Sequence, residues 1–347
     1  MRLPRRQFVH LVAAAALVPA LPHMAMAVNY PTRPVRIIVG FPPGTSPDII
    51  ARLLGDWLSE RLGQPFIIDK RSGAASNIAT EFVAASAPDG YTLFIPVSTN
   101  AINATLYKNQ NFDFVRDLAP VASIGRATFV LAVTPSLPVK TLPEFIAYGK
   151  ANPGRLYMGS QGIGTTPHVC GELLRMMTGI EFVHVPYRGS LIPDLLAGQV
   201  QFYFSPIPQA VGYIGDGRLR ALGVTGAKRS TALPDAPAIG EFVPGYEANG
   251  WFGIEAPRGT PAEIVGKLNN EIGAGLEDSK FKARLLALGV EPRAMTAPEF
   301  KDFIIAEVDK WAKVIAFAGL NRSDPLIEPR DSSPMSVWLE TLRMTVA

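Results

Sequence analysis

One cysteine, Cys170, serves a chain of 347 residues. A lone thiol excludes an internal disulfide and any cysteine-rich metal centre. Histidine is nearly as scarce, with four in all, and only His168 and His184 lie past residue 27. The chain has no G-x-S-x-G elbow, no phosphate-binding loop ending in Gly-Lys, and no Cys/His/Asp group at metal-ligand spacing. No catalytic residue, metal ligand or cofactor is therefore expected. Runs of lysine or arginine are missing too, which removes the electrostatic footprint a nucleic acid would need. After residue 27 no apolar stretch is long enough to cross a bilayer.

What is present begins with an address. Arg5-Arg6-Gln7-Phe8-Val9 leads into an apolar run, Leu11 to Leu21, and Ala25-Met26-Ala27 has the small-x-small form of a cleavage site. Residues 1–27 are expected to be a signal peptide into the periplasm, and the paired arginines resemble a twin-arginine signal. Removing Arg2, Arg5 and Arg6 from the 33 basic residues leaves 30, equal to the 30 acidic ones. A neutral mature chain must draw its selectivity from a local site.

The remaining length exceeds what one core usually serves, so two domains are expected. Short apolar strands are predicted at 35–39, 66–69, 91–95, 129–133, 156–159, 182–185, 200–204 and 220–224. Helices are predicted at 47–62, 77–87, 142–151, 167–178, 207–216, 261–277, 279–288 and 297–318. Such alternation argues for an α/β fold with mainly parallel sheets, whose ligands bind beyond the carboxyl ends of the strands. No period of 20 to 50 residues repeats, which excludes a solenoid. Past Leu320 the prolines and charges read as a tail, with one closing helical turn over 337–342.

Val35-Arg-Ile-Ile-Val39, then Gly40-Phe-Pro-Pro-Gly-Thr-Ser-Pro-Asp48, reads as a strand, a turn and a helix start. That arrangement aims unpaired backbone N–H groups and the positive end of a helix dipole beyond the strand, a way to hold an anion without a cation. A single such turn is only a connection. The pattern recurs, however, at Gly73 to Ser76 and from Gly159 to Pro167, which points to a shared site. Asp48 fits a helix first turn and Asp89 a turn before a strand, both structural places. Cys170 reads as a packed thiol, and His184, between Val183 and Val185, as a core or face histidine.

Several segments in order resemble the Bug/TctC family, the extracytoplasmic solute receptors of tripartite tricarboxylate transporters. They are Gly40 to Arg52, Ala87-Pro-Asp-Gly-Tyr-Thr-Leu93, His168-Val-Cys-Gly-Glu-Leu173, Val183-His-Val-Pro-Tyr-Arg-Gly189, Leu195 to Val200, Leu219 to Thr225 and Trp251 to Pro261. The resemblance runs from about Tyr30 to Leu320. It implies a two-domain periplasmic-binding-protein (Venus flytrap) fold with two interdomain crossovers. Domain 1 would take 28–127 with 250–320, domain 2 would take 128–249, and 321–347 would be a tail. A small organic carboxylate would lie in the cleft, delivered to the transporter's membrane subunits by a monomer. By the family pattern the first wall is Phe41, Pro43, Gly44, Thr45, Ser46, Gly73, Ala74, Ala75, Ser76, Ser98 and Thr99. The second is Ser160, Gly162, Gly164, Thr165, Thr166, Tyr187, Arg188, Gly189 and Ser205.

Three departures separate this chain from the family pattern. Gly73-Ala74-Ala75-Ser76 stands where glycines are usual, Ser205-Pro206 where an aspartate is common, and the segment from Gly189 to Asp194 is shorter than its usual form. The ligand therefore does not carry over from a relative. Two other classes stand beside the receptor. One is a sensor using the same cleft for a two-component system. The other is a hydrolase using Ser160 or Ser205 with His168 and an aspartate.

Overall fold

The computed structural model describes residues 29–187 and 189–320. The expected signal peptide, Arg188, and the expected tail with its turn at 337–342 lie outside the described residues. From Pro31 to Leu320 the chain belongs to one compact unit. It begins with β1 (Val35–Val39), α1 (Ser46–Leu62), β2 (Phe66–Lys70), α2 (Asn77–Ala84), β3 (Thr92–Phe94), α3 (Ser98–Leu106) and β4 (Leu118–Ala127). After Thr128 come β5 (Phe129–Val133), α4 (Leu142–Ala151), β6 (Leu156–Ser160), α5 (Thr166–Thr178), β7 (Phe182–Pro186), α6 (Ile192–Leu196), β8 (Phe202–Pro206), α7 (Ile207–Gly215) and β9 (Arg220–Val224). The chain closes with β10 (Gly250–Pro257), α8 (Ala262–Glu277), α9 (Ser279–Ala287), β11 (Val290–Pro292) and α10 (Ala297–Phe317).

Local chemistry explains many of these boundaries. α1 starts with Pro47 in its first turn and stops at left-handed Gly63, whose N–H bonds back to Ser59 O at 3.0 Å. α10 opens with a reciprocal cap: Thr296 Oγ1 accepts from Glu299 N–H, and Glu299 accepts from Thr296 N–H. β4, β10, β11, α3 and α6 fall where no element was predicted. β10 is buried along all eight residues and so shows no alternation. α3, with two asparagines and two threonines, has weak helix propensity; Asn100 Oδ1 secures its start by accepting Val97 N–H at 2.9 Å.

The strands form two sheets, ordered β11-β4-β10-β3-β1-β2 and β7-β6-β8-β5-β9. Each is mixed, which corrects the expectation of mainly parallel sheets. β1 pairs parallel with β2 and β3, and β6 with β7 and β8, while β10, β4, β11, β5 and β9 pair antiparallel. The parallel pairs are the strands joined through helices. Antiparallel pairs arise where the chain changes sheets, leaving the first after β4 and rejoining it at β10. The two crossing segments lie side by side, with Gly250 opposite Ala127. Thr225 holds them together: its Oγ1 accepts Phe129 N–H at 3.0 Å and its carbonyl accepts Ala248 N–H at 3.1 Å.

One apolar cluster joins both sheets, from Ile38 and Phe94 through Leu131, Met158 and Phe202 to Trp251. A second covers the other face of the second sheet, with Val130, Leu195, Tyr203 and Val224. Cys170 is fully buried, its thiol donating to Ala248 O at 3.5 Å, and burial pushes that thiol far above its ordinary pKa. Among the described residues no helix is long and apolar enough to cross a membrane.

Candidate functional site

The expected wall residues sit at the carboxyl ends of the parallel strands, six loops in all. On the first sheet, Val39 lies beside Lys70 and Ile38 beside Phe94, so the loops after β1, β2 and β3 share one edge. On the second, Ser160 lies beside Pro186 and Gly159 beside Tyr203, so the loops after β6, β7 and β8 share another. Phe41, Pro43, Gly44, Thr45, Ser46, Gly73 to Ser76, Ser98 and Thr99 occupy the first edge. Ser160, Gly162, Gly164, Thr165, Thr166, Tyr187, Gly189 and Ser205 occupy the second. Arg188 is outside the described residues.

Two of these loops are the same device built twice. Gly44 and Gly164 take left-handed φ of 79° and 78°, where a side chain would be strained. Thr45 and Thr165 follow in extended backbone, each turning its hydroxyl onto a carbonyl three residues back, Pro42 O and Gly162 O, both at 2.7 Å. Each helix then starts with a proline in its first turn and no side-chain cap, so no capping side chain neutralises the positive ends of α1 and α5. The glycine N–H of each loop is already used, donating to Asp48 Oδ2 at 3.0 Å in one and His168 Nδ1 at 3.1 Å in the other. The Gly44 and Gly164 amides are therefore engaged within the fold itself.

Asp48 is buried and pairs with Arg52 at 3.2 Å. Burial works against its charge, but the Gly44 N–H and the Arg52 guanidinium outweigh it and hold the carboxyl below its ordinary pKa. Its expected structural place in the helix first turn holds, and it has the further task of fixing the loop. The loop after β2 is built differently. Ala74, Ala75 and Ser76 are all left-handed, and Ser76 packs so tightly on the first loop that a Cβ at Gly40 would meet Ser76 Oγ at 1.9 Å. Ser76 Oγ is buried without a hydrogen-bond partner. Asn103 Nδ2 holds the strained segment by donating to Ala75 O at 2.8 Å.

Across the two edges, Ser98 Oγ and Thr166 Oγ1 meet at 2.8 Å in a buried hydrogen bond. Tyr187 donates its hydroxyl to Asp194 at 2.7 Å, and burial together with that carboxylate drives the phenol pKa upward. Ser205 donates to Pro206 O at 3.1 Å within β8. Sequence reading had no signal for Asn103 or for the role of Gly40, since both act through contacts distant along the chain.

Ser160 contacts His184 rather than His168: Oγ and Nε2 are 2.6 Å apart. This pair is a poor nucleophile and base. Ser160 is fully buried and also bonded to Gly162, and burial, with His168 beside it, pushes His184 down to about 2. Two surface hollows, of about 230 and about 500 Å³, lie elsewhere. One is lined by Ala122, Asn269 and Met295, the other by Arg33, Arg36 and Tyr91 at the amino ends of β1 and β3. Among the described residues no group of His, Cys, Asp and Glu is placed to hold a metal.

Two mixed α/β sheets joined by paired crossovers define the class: a solute-binding protein of the periplasmic-binding-protein fold. Residues 50–320 match the model of the tripartite tricarboxylate transporter family receptor, TctC, and the chain belongs to that family, one of receptors and not enzymes. It is 35% identical over 298 residues to BugT of Bordetella pertussis, covering 84% of this chain and 91% of that protein. Among solved structures, Rpa4515 of R. palustris with adipate is 39% identical, with a TM-score of 0.72 over 84% of this chain and 99% of that one. MatC of Rhodopseudomonas palustris with bound malate is 29% identical, with a TM-score of 0.69 over 82% of this chain and 100% of that one.

Proposed function

We propose that this chain is a periplasmic receptor that captures a small organic carboxylate between its two sheets and passes it to a tripartite tricarboxylate-type membrane transporter. One observation carries the reading: the Gly-Thr-Ser/Thr-Pro turn is built twice, once on each sheet, and each copy leaves an uncapped helix start. Open helix N-termini favour anions, and one on each side suits a ligand with a carboxylate at either end. Relatives solved with adipate and with malate are consistent with that chemistry. On this reading the division into 28–127 with 250–320 and 128–249 marks the two lobes that close on the ligand.

Thermal-shift screening against mono-, di- and tricarboxylates, with the matching amides as controls, tests it. A ligand bound only by the folded chain raises the melting temperature, by about 2.7 kcal/mol of added stability at a hundredfold excess over Kd. Linear dicarboxylates are expected to shift the transition and their diamides to leave it unchanged. Equal shifts from acid and amide, or ligand recovered chemically altered, would overturn the reading.

A further inference from the structure

The two copies of the turn differ at one chemically decisive place. In the first, the acceptor for the glycine N–H is a carboxylate, Asp48; in the second it is an imidazole, His168. A carboxylate accepts throughout the neutral and mildly acid range, whereas imidazole Nδ1 accepts only while it carries no proton. Gly164 N–H at 3.1 Å therefore fixes His168 as the neutral tautomer with its proton on Nε2. Nε2 points to Glu172 Oε1 at 3.6 Å, and Glu172 pairs with Arg175 at 2.7 Å. The His184 ring stacks on His168 with centroids 3.8 Å apart and planes at 18°, and reaches Ser160 at the start of the same turn.

The groups facing the pair are Ser160 from β6, His184 from β7, and Glu172 and Arg175 from α5, with Glu181 beyond Arg175. From α10, Glu307 and Lys310 act on Cys170. A proton on Nδ1 would set two donors against each other at Gly164 and free the turn.

We propose that His168 is a positioning residue for the second lobe's anion cradle and works only as a neutral imidazole, so that proton uptake at His168 loosens the turn from Ser160 to Thr165 while the Asp48-pinned cradle stays intact. Its consequence for binding rests on the carboxylate-receptor reading. Acidification then releases a bound carboxylate from the second lobe first.

The test uses the mature chain, its His168→Asn and His168→Leu variants, and adipate as probe. Asparagine Oδ1 can take the place of Nδ1 as acceptor and does not titrate; leucine offers no acceptor. Ring ¹⁵N shifts report the His168 tautomer and its protonation, hydrogen exchange reports the Gly164 amide, and calorimetry gives adipate affinity from pH 5 to pH 8. In the parent, Gly164 protection and adipate affinity are expected to fall in step with His168 protonation. His168→Asn should stay within about threefold of the parent at pH 8 and lose the acid dependence. His168→Leu should weaken adipate by tenfold or more at pH 8. An Nδ1-protonated His168, Gly164 exchange indifferent to its protonation, or an unchanged acid dependence in His168→Asn overturns the proposal. If neither adipate nor any other dicarboxylate binds at any pH, the receptor reading fails, while ring shifts and Gly164 exchange still decide the positioning role. Should His168→Leu not fold, those two measurements on the parent and His168→Asn suffice.

Discussion

Ala74, Ala75 and Ser76 hold φ of 45°, 52° and 79° in succession, backbone that costs a side-chain-bearing residue about 1–2 kcal/mol each. The strain persists because neighbours fix it, with Ser76 wedged against Gly40 and Ala75 O held by Asn103. Ala75→Gly is therefore expected to raise stability by about 1 kcal/mol, roughly 2 °C in the melting temperature, at unchanged secondary structure by circular dichroism. A second residue stores cost differently. Glu255 in β10 is 1% exposed, one carboxyl oxygen has no hydrogen-bond partner, and burial raises its pKa well above the ordinary value. The folded chain keeps a proton there that the unfolded chain gives up, so stability is full below the ordinary carboxylate pKa and falls as pH rises. Glu255→Gln should melt higher than the parent at pH 8, by about 2 °C per kcal/mol recovered, and lose that advantage near pH 5.

At the scale of elements, a helix start is only as useful as the loop that aims it. α1 and α5 leave their first turns uncapped because Thr45 and Thr165 spend their hydroxyls on the loop behind them. Asp48 then returns from the helix to hold the Gly44 N–H, and Arg52 one turn later holds Asp48. Asp48→Ala removes the acceptor, and because Gly44 is exposed water can take its amide, so the cost is that of one net hydrogen bond, about 1 kcal/mol. On the proposed carboxylate-receptor reading, adipate affinity should fall tenfold or more in Asp48→Ala and less in Asp48→Asn, which keeps an oxygen. Calorimetry with melting curves for both variants checks this. Because the Asp48 pKa is lowered on folding, its stabilisation is present at neutral pH and is lost as pH falls through that depressed value.

For the whole molecule, the two sheets are joined where the chain passes from one to the other. Thr225 ties both crossings, accepting Phe129 N–H through its hydroxyl and Ala248 N–H through its carbonyl. Thr225→Val keeps the shape, removes the hydroxyl and leaves Phe129 N–H unpaired, so it should cost about 1–3 kcal/mol. If the two crossings act as the hinge, small-angle scattering should show the parent shrinking on ligand addition and the variant starting from a broader distribution of sizes. An identical scattering profile for both, with and without ligand, would show a rigid molecule.

The residues from Val35 to Asp48 and from Gly159 to Pro167 were legible as strand, turn and helix start because the turn glycines, the first-turn prolines and the acceptors Asp48 and His168 act within a few positions along the chain. The α/β class was legible for the same reason, through the alternation of short apolar runs with helical periods. What the chain order does not contain are the pairings between distant residues. β10 inserts between β3 and β4 and turns half of the first sheet antiparallel, Ser98 meets Thr166 across 68 positions, and Ser160 takes His184 in place of His168. Hydrogen bonds and packing act over a few ångströms, so those choices are made only when the tertiary fold has brought the partners within reach.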